Sequence, residues 1–335
     1  MSARACILPV FVPHQGCPHT CVFCNQRHIS GESDIVTAET VKHAIRKAAL
    51  PLRGAKRQLA FYGGSFTAIP EERQQALLGA AKEAMDAGMI DSVRLSTRPD
   101  AVDAAVLDRL RAFGVETIEL GAQSMNDEVL RLSGRGHTAA DVERAAHLIR
   151  ENGFELILQM MTGLPGDTPE RAVETAKKLI ELQPDGVRIY PTVIVKDTAL
   201  YELWKAGRYR EHTVEDAVEV CAMLLPLFDQ AGIPVIRLGL NPTEELSGGE
   251  AVAGAYHPAL GELVKSRILL NQARELLRGI EPGRSVVIGV PAPKLSQMVG
   301  QRRENIQKLC AEFSIRELQV VPLIDAKGDL RIDIR

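Results

Sequence analysis

The chain has 335 residues, 45% of them apolar and 25% charged, and a formal net charge of −3. That length predicts one large domain with a smaller companion, and the balance excludes a global field that would draw the protein to nucleic acid or membranes. From Lys265 onward 13 Lys and Arg stand against 8 Asp and Glu, a mildly basic tail that fits an anionic partner or an ordinary solvated surface. No signal peptide is read, the apolar run Ile7–Val12 is too short for a span, and no run reaches about 18 apolar residues. A cytoplasmic location is expected, with no membrane or DNA partner. There the six cysteines rarely mean disulfides; three crowd into one segment, which points to metal.

In chain order, β-branched runs predict strands at Cys6–Val12, Gln58–Tyr62, Val93–Ser96, Thr117–Leu120, Glu155–Met160 and Gly186–Tyr190. Between them, apolar residues at three- and four-residue steps predict helices at Ala38–Leu50, Glu71–Ala87, Ala101–Phe113, Ala139–Asn152 and Pro169–Leu182. Asp100 is read as a cap, and Gly114 and Gly153 as stops. Repeats of roughly 30 residues describe βα units building a parallel sheet. The fold class is thus α/β, a partial TIM-like (βα)6 barrel over residues 1–212, with reactive groups expected after the strand ends.

A helical connector and loop occupy residues 213–280: a helix at Val214–Ala231, a strand at Val235–Leu238, a helix near Glu262–Leu277. The Gly-rich stretch Gly239–Gly261 is expected to cover the barrel mouth, with Tyr256–His257–Pro258 inside it. Residues 281–335 form a small α+β unit: strand Ser285–Val290, helix Lys294–Cys310, strands Leu318–Leu323 and Leu330–Ile334. Cys221 and Cys310 sit among apolar neighbours and read as core.

The strongest motif is Cys17–Pro18–His19–Thr20–Cys21–Val22–Phe23–Cys24. Thiolates at this C-x3-C-x2-C spacing can hold three irons of a cubane and leave the fourth open. A structural zinc site would want a fourth ligand, for which His14, His19 and His28 are near. The motif, just after the first strand of a βα series, resembles the radical S-adenosylmethionine (SAM) superfamily. The resemblance implies a 4Fe–4S cluster on Cys17, Cys21 and Cys24, SAM chelated by the open iron, and reductive cleavage to a 5′-deoxyadenosyl radical. It also implies an electron donor such as a flavodoxin or ferredoxin. Phe23 matches the family's aromatic beside the last cysteine, and Gly63–Gly64–Ser65 matches its glycine pair for the methionine amino group.

Ser96–Thr97–Arg98–Pro99–Asp100, Glu119–Leu120–Gly121–Ala122–Gln123–Ser124 and Arg135–Gly136–His137–Thr138 resemble the Elongator catalytic-subunit family and share features with oxygen-independent coproporphyrinogen oxidases. By that resemblance Gln123 and Arg135 face SAM, Arg135 offering a planar fork to a carboxylate. Gln159, in Gln159–Met160–Met161–Thr162–Gly163–Leu164–Pro165–Gly166, stands where the oxidase pattern has Asp and is expected at the ribose. Arg188–Ile189–Tyr190–Pro191–Thr192–Val193–Ile194–Val195–Lys196–Asp197–Thr198, with Leu200–Tyr201, is the most specific Elongator-like stretch. That family typically has Lys at Arg188 and often Gly at Asp197. Tyr190, Lys196 and Tyr201 then become substrate-side residues.

Nothing after residue 210 reads as the Elongator acetyltransferase domain, so the resemblance covers roughly residues 5–210. Leu295–Ile306 resembles a KH RNA-binding core with Gly300–Gln301–Arg302–Arg303 as its loop, Arg303 replacing the second glycine. An enzyme modifying tRNA or another RNA is the leading expectation. A radical enzyme acting on a small molecule and a non-catalytic RNA-binding protein with a structural metal are the alternatives.

Overall fold

A computed structural model describes residues 6–12, 19–25, 35–48, 55–240, 246–323 and 330–334. The βα repeat is present: β1 (Cys6–Phe11), α1 (Ala38–Lys47), β2 (Arg57–Tyr62), α2 (Glu71–Asp86), β3 (Ser92–Thr97), α3 (Ala104–Ala112) and β4 (Val115–Gln123). There follow α4 (Asp127–Leu132), α5 (Ala139–Glu151), β5 (Glu155–Thr162), α6 (Pro169–Glu181) and β6 (Gly186–Pro191). The cap of α3 is not Asp100 but Asp103, whose carboxylate accepts the Val106 N–H; Asp100 instead pairs with Arg98, 2.8 Å away. Gly114 and Gly153 take the positive φ that ends α3 and α5.

A short strand β7 (Val193–Val195), α7 (Ala199–Lys205), α8 (Val214–Gln230), β8 (Val235–Leu238) and β9 (Ala251–Gly254) come next. The main sheet is parallel in the order β1–β2–β3–β4–β5–β6–β8. β8 is thus a seventh strand of the barrel. One compact unit comprises Met1–Thr213 with Leu224–Pro258, and a second Val214–Met223 with Ala259–Arg335.

Strand residues alternate. Leu59, Leu95, Ile118, Leu120, Leu156, Leu158, Val187 and Ile189 are fully buried, each worth roughly 2 kcal/mol of burial. Between them the opposite face carries Tyr62, Arg94, Glu119, Gln159 and Arg188, which meet one another. Arg188 on β6 donates to the Tyr62 hydroxyl on β2 at 3.0 Å. Four strand spacings would separate them by roughly 19 Å in a flat sheet. The sheet therefore curls, with this polar face inward.

The stretch expected as a free cover is tied down at its end. β9 pairs antiparallel with β7, and Gly254 packs so tightly on Thr192 that a Cβ would lie 2.8 Å from its carbonyl oxygen. Residues 241–245 of that stretch lie outside the described residues.

The second unit builds a three-stranded sheet from β10 (Ser285–Pro291), β11 (Glu317–Leu323) and β12 (Arg331–Ile334), in the order β11–β10–β12. Helix α9 (Leu260–Leu276) supplies Leu269, Leu270 and Ala273 to a core with Val286, Ile288, Met298 and Leu309. The single helix expected at Lys294–Cys310 is two, α10 (Leu295–Val299) and α11 (Glu304–Phe313). They break at Gly300, with Arg302 and Arg303 both left-handed (φ 50° and 65°). Non-glycine residues adopt that conformation at a cost of about 1 kcal/mol. Arg303→Gly is expected to stabilise the protein by about 0.5–1 kcal/mol, read as a higher urea midpoint for the transition of this unit.

Candidate active site

The carboxyl ends of β2, β3 and β4 meet beside the second half of the cysteine segment. Cys17, His14 and His28 lie outside the described residues; Cys21 is buried and Phe23 and Cys24 are half-buried. Among the described residues no three His, Cys, Asp or Glu side chains group as a metal site. The loop around Cys21 is anchored by its backbone: the Val22 N–H donates to Ser133 O at 3.0 Å, and Val22 O accepts the Leu200 N–H at 2.7 Å. Two left-handed glycines make room for it. A Cβ on Gly136 would lie 2.4 Å from the His19 ring, and one on Gly134 3.1 Å from Thr20 O.

Between those glycines stands Arg135, 8% exposed. Its Nη1 lies 3.4 Å from Cys21 Sγ and its Nη2 donates to Gly121 O at 2.7 Å. Its own carbonyl accepts a close hydrogen bond from Arg98, so the backbone behind the guanidinium is held as well. Nε has no partner. Gln123, left-handed at φ 65°, ends β4 beside it, with a buried Oε1 that also lacks a partner among the described residues. Gly121 leaves room here: a Cβ would crowd Gln123 Nε2 at 3.0 Å and Arg135 Nη2 at 3.2 Å. Gly63 turns the chain at φ 93° after β2. Ser96 Oγ reaches Gly64 O at 3.4 Å, and Ser65 Oγ bonds Thr97 Oγ1 at 3.0 Å and accepts the Arg98 N–H at 3.2 Å. Gly63, Gly64, Ser65, Gln123 and Arg135 thus gather at adjacent strand ends.

Gln159 lies deeper. Its Nε2 donates to Glu119 Oε2 at 2.9 Å. Glu119 has no exposed surface and binds Arg94 Nη1 at 2.9 Å and Arg188 Nε at 2.8 Å, with the Tyr62 hydroxyl at 2.8 Å. Burial and then Glu119 push the Tyr62 pKa up, so the phenol stays protonated and donates. Sequence reasoning missed Glu119 as a functional residue, because on β4 it alternates with apolar neighbours as a solvent-facing residue does.

The substrate-side residues disperse. Tyr190 lies on the inner face two residues beyond Arg188. Lys196 Nζ is 3.3 Å from Glu250 Oε1, next to β9. Tyr201, on α7, packs against Trp204 and under Lys205. Asp197 is left-handed at φ 57°, a conformation that favours glycine and is tolerated by Asp. His212, which drew no notice in the sequence, is buried against Gly163, with Nε2 3.1 Å from Thr162 Oγ1.

The family model described as "Radical SAM superfamily" matches residues 11–179, and the "Radical_SAM C-terminal domain" matches residues 184–269. The chain belongs to the radical SAM superfamily. Membership makes it an enzyme. Human Elongator complex protein 3 is 33% identical over 185 residues, 49% of this chain and 34% of that protein. The "tRNA uridine(34) acetyltransferase" of Dehalococcoides mccartyi is 29% identical over 228 residues, 58% of this chain and 50% of that protein. The chain spans a third to a half of the length of the curated relatives it matches. The solved Methanocaldococcus infernus Elp3 shares the fold at a TM-score of 0.63 and 23% identity, over 86% of this chain and 71% of that one. Among the described residues no helix is long and apolar enough to cross a membrane.

Two outcomes follow from the buried charges. Glu119→Gln leaves two guanidiniums facing a neutral amide and is expected to destabilise by about 3 kcal/mol, measured by urea unfolding. Burial, with Arg135 nearby, lowers the pKa of His137 to about 4. An unfolded His takes its proton near pH 6.5, so between these values the unfolded state binds more protons and stability falls as pH drops. Urea midpoints are expected to decline between pH 7 and pH 4, and His137→Gln, which does not titrate, to flatten part of that decline.

Proposed function

We propose that this enzyme uses a 4Fe–4S cluster and SAM to modify RNA, with tRNA as the substrate class. The observation that carries the reading is a pair of buried atoms beside Cys21 and the end of β4, Arg135 Nε and Gln123 Oε1, that have no hydrogen-bond partner among the described residues. SAM ends in a zwitterion. It needs a donor for its carboxylate and an acceptor for its ammonium, and Arg135 and Gln123 supply one of each. The donor set suits the cluster too, since Cys21 and Cys24 sit three residues apart on a loop whose backbone is fixed from outside.

In this reading Cys17, Cys21 and Cys24 ligate the cluster and Phe23 packs beside it. Gly63, Gly64 and Ser65 present backbone to the methionine end, and Gln159 presents its amide to the ribose. When bound and reduced by a flavodoxin or ferredoxin, cluster and SAM supply a 5′-deoxyadenosyl radical. The chain's own residues position the nucleotide and keep water out; Tyr190, Lys196 and Tyr201 face it from the substrate side. The named activity of the relatives, tRNA uridine(34) acetyltransferase, supports tRNA as the substrate. The Gly300–Arg303 turn offers Arg302 and Arg303 to a nucleic-acid backbone.

The test is anaerobic reconstitution with iron and sulfide, reduction with SAM, and chromatography of 5′-deoxyadenosine. Release by the wild type and none by Cys21→Ala supports the reading; zinc binding without SAM cleavage overturns it. Arg135→Lys keeps the charge but loses the fork, and is expected to weaken SAM binding about tenfold in equilibrium dialysis.

A further inference from the structure

Among the described residues the inner face of the barrel carries more positive than negative charge, and the excess sits at its last strand. Register sets Arg188 on β6 beside Arg237 on β8. Neighbouring strands lie about 4.8 Å apart, so the two stems rise together from one face. Arg188 is committed, with Nε and Nη2 on Glu119 and Nη2 also on Tyr62. Arg237 is half-buried and, among the described residues, has no hydrogen bond or ion pair. Its electrostatic neighbour is the hydroxyl of Tyr190, which also feels Arg188.

Among the described residues the acids on this face do not balance the arginines. Glu119 is shared between Arg94 and Arg188. Glu155, 3.7 Å from Arg94, stands at the start of β5, far along the strands from Arg237. A half-buried guanidinium with no counter-ion among the described residues leaves its charge for an anion to meet, and Arg237 lies one residue before the carboxyl end of β8, the end of the barrel that carries the candidate site. Burial raises the pKa of Tyr190, so its hydroxyl keeps a proton to donate.

We infer that Arg237 and the Tyr190 hydroxyl bind a phosphate group of the substrate, with the Arg188 charge behind them. This rests on the RNA reading proposed above and deepens it by naming the part of the nucleotide that is gripped. A planar fork and a hydroxyl donor match a phosphate's several acceptor oxygens. The carboxylate of SAM is the competing anion, and Arg135 is the residue assigned to it.

The test uses the reconstituted full chain and two probes, uridine 5′-monophosphate and uridine, in equilibrium dialysis at low and high salt. The wild type is expected to bind the monophosphate at least tenfold more tightly, with a preference that shrinks as salt rises. Arg237→Gln is expected to erase the preference and Arg237→Lys to keep part of it. Equal binding of both probes by the wild type overturns the inference, as does an unchanged preference in Arg237→Gln. Arg237→Gln that weakens SAM while sparing the monophosphate preference also overturns it and gives Arg237 to SAM. A wild type that never cleaves SAM, yet shows a phosphate preference that Arg237→Gln abolishes, removes the radical reading and leaves the phosphate site standing.

Discussion

The barrel interior is organised around a carboxylate with no water to solvate it. Glu119 holds Arg94 of β3 and Arg188 of β6, and receives the Tyr62 hydroxyl of β2 and the Gln159 amide of β5. Five strands are thereby joined through one side chain. A flat sheet could not bring these groups together, so the polar network and the curvature require each other. A network of this kind is no gain over a well-packed apolar core, because desolvation offsets much of the attraction. What it fixes is the angular placement of the strands, and through them the ends that carry Gly63, Gly121 and Gln123.

The strand ends repeat the same division of labour on a smaller scale. Arg135 is aimed by its surroundings: glycines on either side admit the cysteine loop, Gly121 admits the guanidinium, and Arg98 holds its carbonyl. Positions without a Cβ are what allow cationic, thiol and amide groups to crowd together. Two of those groups keep an atom with no partner among the described residues, as a site that something else completes would.

Much of this was legible before the coordinates. The βα period rests on local patterns, and local patterns survive folding. Several features did not read correctly. Asp103 caps α3 in place of Asp100, since a three-residue 3-10 turn at Pro99–Ala101 delays the helix. β7 and β9 are short and pair across more than fifty residues, so neither announces itself by periodicity. Glu119 and Arg94 look like solvent-side residues of amphipathic strands, and only closure of the sheet buries them. The role of Arg237 was invisible for the same reason: it depends on β8 lying beside β6, a pairing between distant parts of the chain.

That last strand also orders events during synthesis. β6 ends at Pro191, and its partner β8 begins at Val235. At roughly 5–20 residues per second the ribosome takes several seconds to deliver the missing strand, whereas helices and hairpins form within microseconds. For that interval β6 presents a row of unpaired backbone donors and acceptors, flanked by Val187 and Ile189. An open parallel edge of that kind is a template for pairing with another chain. The edge of β6 is accordingly an aggregation risk that lasts only as long as β8 is missing, and that a chaperone could cover in the interval.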